Sequence, residues 1–264
     1  MINETTIGIF DSGLGGLTVM QQLMSVLPHE NMVYFGDTAY LPYGDKTKNF
    51  IIERSLSIAS FLIQKGAKLI VVACHTASTN ALEILHQHFA VPILGITQPT
   101  IHEVVKAEKK RIAILATDAT IKSGIYQHFI GERLPDSVIF PLACPKFVPL
   151  IEQGIGSIPL AKLIVHETLK ELASQQIELA VLGSTHYPLI QDLIQQELGE
   201  HVVLIDPAKV LAENVRTFLI QNHLYNNQQN LPAYHFHTSK DSEKFQHLAE
   251  KFLKLPSEKI VINN

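Results

Sequence analysis

Two short segments carry side chains suited to acid–base or nucleophilic chemistry. One reads Ala73-Cys74-His75-Thr76 and the other Gly183-Ser184-Thr185-His186, with Cys74 and Ser184 110 positions apart. Each follows an apolar run and sets a small residue, then a thiol or hydroxyl, then His and Thr in opposite order. The pair reads as two similar α/β halves facing each other across one cleft, or as coincidence between two ordinary strand–helix turns. A third loop, Asp11-Ser12-Gly13-Leu14-Gly15-Gly16, follows the first apolar run. A Gly-rich turn of this kind can present backbone N–H groups to an anion. The dinucleotide fingerprint fails here, because Thr18 stands at its third glycine and Asp11 would repel a pyrophosphate. A small carboxylate suits the amides, with Asp11 on a cationic group such as an ammonium. In the plainer alternative the glycines only make a tight turn and Asp11 caps the next helix.

Positioning these residues requires strands that end where the loops begin. Short apolar runs predict strands over 6–10, 32–35, 69–73, 93–96, 112–116, 137–141, 179–183 and 202–205. Most are continuous Ile, Val and Leu runs, as expected of strands buried on both faces of a parallel sheet. Amphipathic stretches over 50–64, 160–173 and 208–222 predict helices between them. Alternating strands and helices imply an α/β fold with mostly parallel sheets, whose ligands bind beyond the carboxyl ends of strands.

The chain has 264 residues with 46% hydrophobic and 17% charged, which places it among folded proteins of about two domains. Its 21 basic and 25 acidic residues leave a net charge of −4, so no nucleic-acid partner is expected. The densest basic patch, Lys109-Lys110-Arg111, reads as a solvated helix end. His86 with His88, or His235 with His237, could pair on a metal; lacking a third ligand nearby they read as surface positions, and no metal site is expected. Cys74 and Cys144 form no disulfide framework and fit a reducing cytosol. The N-terminal residues lack the basic start and apolar length of a signal peptide, and no run approaches 18 apolar residues, so no membrane association is expected.

The residues resemble the cofactor-independent aspartate/glutamate racemase family. The matching segments are GIFDSGLGGLTV (8–19), YFGDT (34–38), PYG (42–44), ACHTAS (73–78), ACP (143–145), FVPLIE (147–152) and GSTHYPL (183–189), in order over nearly the whole chain. The resemblance implies two α/β domains, residues 1–97 plus 208–264 and residues 98–207, with the active site in the cleft between them. It implies interconversion of L- and D-glutamate, or of aspartate, by two-base proton transfer at Cα, supplying D-glutamate for peptidoglycan. It implies no cofactor, a cytoplasmic protein and a homodimer. Family members use two cysteines as bases, and an ordinary thiol ionises near pH ~8.5. Carried over by position, Cys74 is the base acting on the D-enantiomer, Asp11 and Glu152 are helper acids, and His186 assists the second base. Asp11, Ser12, Tyr43, Gly44, His75, Thr76, Thr185 and His186 bind the substrate's carboxylates and ammonium. Cys144 is structural.

Ser184 stands where the family has its second cysteine. A serine hydroxyl is a far weaker acid than a thiol and needs an adjacent base. Racemisation is therefore expected to be impaired, while Cys74 still exchanges the α-proton of D-glutamate. His75 replaces the usual Asn; it is expected to bind a carboxylate and, when protonated, to lower the pKa of Cys74. Ser184 reads as an introduced replacement, as a natural loss or change of racemisation, or as a hydroxyl activated by His186. The alternatives to a racemase are a non-catalytic amino-acid-binding homologue and a one-base decarboxylase or isomerase.

Overall fold

The computed structural model describes residues 6–153, 158–228, 231–240, 242–253 and 261–263. In chain order the first part runs β1 (Thr6–Asp11), α1 (Leu17–Val26), β2 (Asn31–Gly36), α2 (Lys48–Gln64), β3 (Ala67–Val72), α3 (His75–His88) and β4 (Ile93–Gly95). The middle runs α4 (Thr97–Lys106), β5 (Arg111–Ala116), α5 (Asp118–Ser123), α6 (Ile125–Arg133), β6 (Val138–Ala143), α7 (Phe147–Glu152), α8 (Ile158–Leu169), β7 (Leu179–Gly183), α9 (Gln191–Leu198) and β8 (Val203–Ile205). The last part adds α10 (Pro207–Gln221), β9 (Tyr234–Thr238), α11 (Ser242–Leu253) and β10 (Val261–Asn263). Contacts divide the chain into two compact units, Met1–Ile96 with Ala208–Asn264, and Thr97–Pro207.

In the first unit a six-stranded sheet has the order β10-β9-β2-β1-β3-β4, and every described pairing is parallel. Side chains alternate across it because strand residues have a period of two. Ile7 and Ile9 of β1 face a core with Leu17 and Met20 of α1, Leu211 and Val215 of α10, and Phe245 of α11. Phe10, Ile70 and Val72 face the opposite core with Ile58 and Leu62 of α2 and Leu85 of α3. Between them Gly8 lets α2 lie close, since a Cβ there would stand 3.0 Å from the Leu62 Cβ.

The second unit holds a four-stranded parallel sheet in the order β6-β5-β7-β8. The same order of first, second, third and fourth strands is found in β2-β1-β3-β4. Both units therefore share a doubly wound topology, and Cys74 and Ser184 follow equivalent strands.

All eight expected strands form, with ends within two residues of those expected. Strand β6 runs on through Pro141 to Ala143, which is tolerated because β6 is an edge strand. Strands β9 and β10 escaped the sequence reading: β9 is the polar alternation Tyr-His-Phe-His-Thr and β10 is three residues long. Lys109-Lys110-Arg111 is not a helix end. Helix α4 stops at Lys106, and Arg111 opens β5, its amide and that of Lys110 donating to Glu178 Oε2. His237 is buried rather than on the surface, whereas His86, His88 and His235 are exposed.

The return of the chain into the first unit is held by a buried ion pair. Lys68 Nζ lies 2.6 Å from Glu30 Oε2 and also donates to the Leu224 carbonyl, while Glu30 Oε1 accepts the Asn226 amide. Glu30 is 1% exposed, so removing it leaves the ammonium without its partner. Glu30→Ala should lower the unfolding free energy by about 3 kcal/mol in urea titrations followed by circular dichroism. Adding Lys68→Met should recover part of that loss.

Candidate active site

In a parallel sheet ligands gather where strand order reverses, because loops from adjacent strands leave in opposite directions. In the first unit this point lies between β1 and β3, and the loops there carry Asp11, Ser12 and Cys74. The Gly-rich loop is pinned from within. The Gly13 amide donates to Asp11 Oδ2 at 2.9 Å, and the Tyr34 hydroxyl donates to the Gly13 carbonyl at 2.8 Å. Gly16 is the N-cap of α1 and has no side chain to cap it, while the Asp11 carboxylate accepts the Gly13 amide and closes the turn before the helix. Gly16 is needed for space. A Cβ there would stand 2.4 Å from the Asp11 Cβ and 2.6 Å from the Tyr34 hydroxyl.

Cys74 is the N-cap of α3, and its Sγ accepts the Ala77 amide at 3.4 Å. Its thiol donates to Ser12 Oγ at 3.7 Å. A helix N-terminus favours a thiolate. Burial outweighs it: burial and the nearby Asp11 charge push the thiol up to about 12, against the Ala77 and Ser12 hydrogen bonds. His75 and Thr76 open α3 and are buried. Burial lowers the His75 pKa to about 3, so the imidazole is neutral at pH 7. The expectation that a protonated His75 activates Cys74 therefore fails, because the desolvated site disfavours the imidazolium.

Tyr43 is buried and its hydroxyl donates to Asp37 Oδ2 at 2.6 Å. Arg54 grips the same carboxylate with two bonds, Nε to Oδ2 at 2.9 Å and NH2 to Oδ1 at 2.8 Å, and stacks on Tyr40. The Tyr43 hydroxyl is thus committed to Asp37, and Gly44 beside it is half-buried. Sequence reasoning gave Asp37, Arg54 and Tyr34 no role. Asp37 stood directly after the second strand, the position that marked the other loops, and that was its available signal.

In the second unit Ser184, Thr185 and His186 follow β7 and are buried. Ser184 Oγ accepts the His186 backbone amide at 3.4 Å. The His186 ring turns elsewhere: its Nε2 lies 3.0 Å from Glu152 Oε1 at the end of α7. Among the described residues no hydrogen bond joins that ring to Ser184, so activation of Ser184 by His186 is not present in this arrangement. Cys144 is buried, and burial pushes its thiol up to about 12, as expected of a structural residue. Among the described residues no group of three or more His, Cys, Asp and Glu is placed to hold a metal. No helix among them is long and apolar enough to cross a membrane.

The structure thus groups Asp11, Ser12, Cys74, His75 and Thr76 in one unit, with Tyr43 and Gly44 on the loop after β2. It groups Glu152, Ser184, Thr185 and His186 in the other. Two parallel sheets with the same strand order, each followed by such residues at the carboxyl ends of its strands, define an α/β protein of doubly wound halves. The family described as Asp/Glu/Hydantoin racemase matches residues 25–215, and the chain belongs to this family. A glutamate racemase of Lactiplantibacillus plantarum is 38% identical over 97% of this chain and 94% of its own. A glutamate racemase isoform from Bacillus anthracis superposes with a TM-score of 0.93 at 31% identity, covering 98% of this chain and 96% of that one. The Francisella tularensis glutamate racemase, solved with D-glutamate, superposes with a TM-score of 0.91 at 33% identity, covering 99% and 98%.

The protonated state of Cys74 is directly measurable. Alkylation of Cys74 by iodoacetamide, read by peptide mass spectrometry, should accelerate about tenfold per pH unit between roughly pH 7 and 9, with no plateau. A plateau in that range would mean that the helix terminus, not burial, governs the thiol.

Proposed function

We propose that the protein interconverts L- and D-glutamate without a cofactor, with Cys74 as one acid/base group. The observation that carries the reading is Cys74 at the cap of α3, beside Ser12 and Asp11, in a chain whose relatives are glutamate racemases. The role follows from charge. Asp11 is one of the two causes that hold the thiol protonated. An α-ammonium set against Asp11 offsets that negative charge and adds a positive one, which lowers the thiol pKa. The resulting thiolate takes the Cα proton and the carbanion is left for reprotonation. Ser12, Thr76 and the Tyr43-Gly44 backbone supply donors for the carboxylates. By analogy with the relatives, the D-glutamate serves peptidoglycan synthesis in the cytoplasm.

Inversion needs a proton delivered to the opposite face of the carbanion. Ser184 cannot hold that proton as a base on its own. An imidazole can both accept and release a proton through its ring nitrogens. His186, oriented by Glu152, is therefore the group assigned here to the second transfer, with Ser184 as a hydrogen-bonding neighbour rather than the base. A less suited acid on one face makes racemisation slow while leaving exchange through Cys74 intact.

Proton NMR of each enantiomer in heavy water, with circular dichroism of the same samples, tests this. The α-proton of D-glutamate should vanish faster than that of L-glutamate, and optical activity should decay slowly. Ser184→Cys should raise racemisation by roughly 10²–10⁴-fold, the range of a well-matched acid or base. His186→Gln should remove exchange from L-glutamate while leaving it in D-glutamate. Saturable glutamate binding with no exchange from either enantiomer would make the protein a binding homologue.

A further inference from the structure

A cavity of about 420 Å³ lies in the first unit, on the face of the sheet that α2 only partly covers. Its wall is set by strand register. Val33 and Phe35 of β2 pair with His235 and His237 of β9, so all four side chains stand on one face. Phe61 of α2 closes one side. Its ring lies 5.3 Å from that of Phe35 and 4.9 Å from that of His237, both edge-on. The three rings make an aromatic wall for a planar apolar group.

The polar lining is of one kind. Among the described residues it holds Lys65, two histidines and two threonines, and no carboxylate. Lys65 is exposed at the end of α2, and its ammonium stands 5.2 Å from the centre of the Phe61 ring. Among the described residues Lys65 makes no ion pair. The hydroxyl oxygen of Thr6 is buried in the lining with no hydrogen-bond partner among the described residues. A buried unsatisfied hydroxyl is unfavourable, so it marks a place where a ligand atom is favoured. The Thr238 hydroxyl already donates to the Lys240 carbonyl, so the donors offered to a ligand are the Lys65 ammonium and the Thr6 hydroxyl, which suit a multiply charged oxyanion.

We propose that this cavity binds an aromatic phosphomonoester, its ring against Phe35, Phe61 and His237 and its phosphate toward Lys65 and Thr6. The volume suits a small ligand, since such pockets run from about 300 to 1,000 Å³. The cavity is separate from the loops that carry Cys74, and none of its lining residues has been placed in the transfer of the α-proton.

The test is isothermal titration calorimetry of the full chain with 1-naphthyl phosphate, with 1-naphthol and inorganic phosphate as half-probes. Saturable one-to-one binding is expected, with each half-probe weaker by at least about tenfold because each loses one set of contacts. Lys65→Gln, at an exposed position, should weaken 1-naphthyl phosphate roughly tenfold, the size of one charge-assisted hydrogen bond, with an unchanged circular dichroism spectrum. Thr6→Val should weaken it a few-fold, and the ligand should leave the alkylation rate of Cys74 unchanged. Absence of saturable binding at millimolar concentration would overturn the proposal. So would affinity unaltered by Lys65→Gln, or protection of Cys74 by the ligand.

Discussion

The reversal of strand order within each parallel sheet is the constraint on which the candidate site depends. A buried sheet must satisfy its backbone hydrogen bonds along every strand, so β1 is flanked by β2 and β3, and β5 by β6 and β7. The chain leaves the central strand to one side and returns on the other. The loops at the carboxyl ends of the central and returning strands therefore part, and no crossover covers them. In the first unit that parting exposes the Gly-rich loop to Cys74. A thiol and a carboxylate from positions 11 and 74 become neighbours for no local reason.

Burial then sets the electrostatics. Asp37 is wholly buried and is satisfied by two Arg54 bonds and the Tyr43 hydroxyl. A buried carboxylate left alone would be strongly unfavourable, so this trio holds the loop after β2 in one arrangement. Asp11 closes its own loop through the Gly13 amide. Cys74 sits at a helix terminus that would favour its thiolate, yet desolvation and Asp11 win. His75, at the same helix start, is held neutral by the same desolvation.

The two units repeat a topology without repeating its local turns. Cys74 caps α3 directly. Ser184 instead precedes a short 3-10 turn over Tyr187–Ile190 before α9 begins. Gly183 before it is required by space, since a Cβ there would stand 2.7 Å from the Leu115 carbonyl. The residue after the equivalent strand differs as well, Cys74 in one unit and Ser184 in the other, and the ring of His186 is directed to Glu152. The second switch point thus offers a carboxylate–imidazole pair where the first offers a thiol among hydroxyl and amide groups.

The apolar runs and the loops after them were legible in the sequence because a central strand such as β1, β3, β5 or β7 is buried nearly throughout and is spelled out by Ile, Val, Leu and Ala; the edge strands β6 and β8 are partly exposed yet keep an apolar run. The equivalence of Cys74 and Ser184 was visible in the same way, as two like endings to two like strands. Strand β9 was not, because its alternation sets His235 and His237 between Tyr234, Phe236 and Thr238, and a buried histidine leaves no apolar signal. Nor could linear order show that Asp37 would be gripped by Arg54, that the His186 ring would turn to Glu152, or that His75 would be too buried to ionise. Those outcomes depend on which groups meet after packing and on how much water is excluded around them. Hydrophobic pattern is local and survives in the sequence, whereas desolvation and hydrogen-bond choice belong to three-dimensional neighbours, and only the tertiary structure decided them.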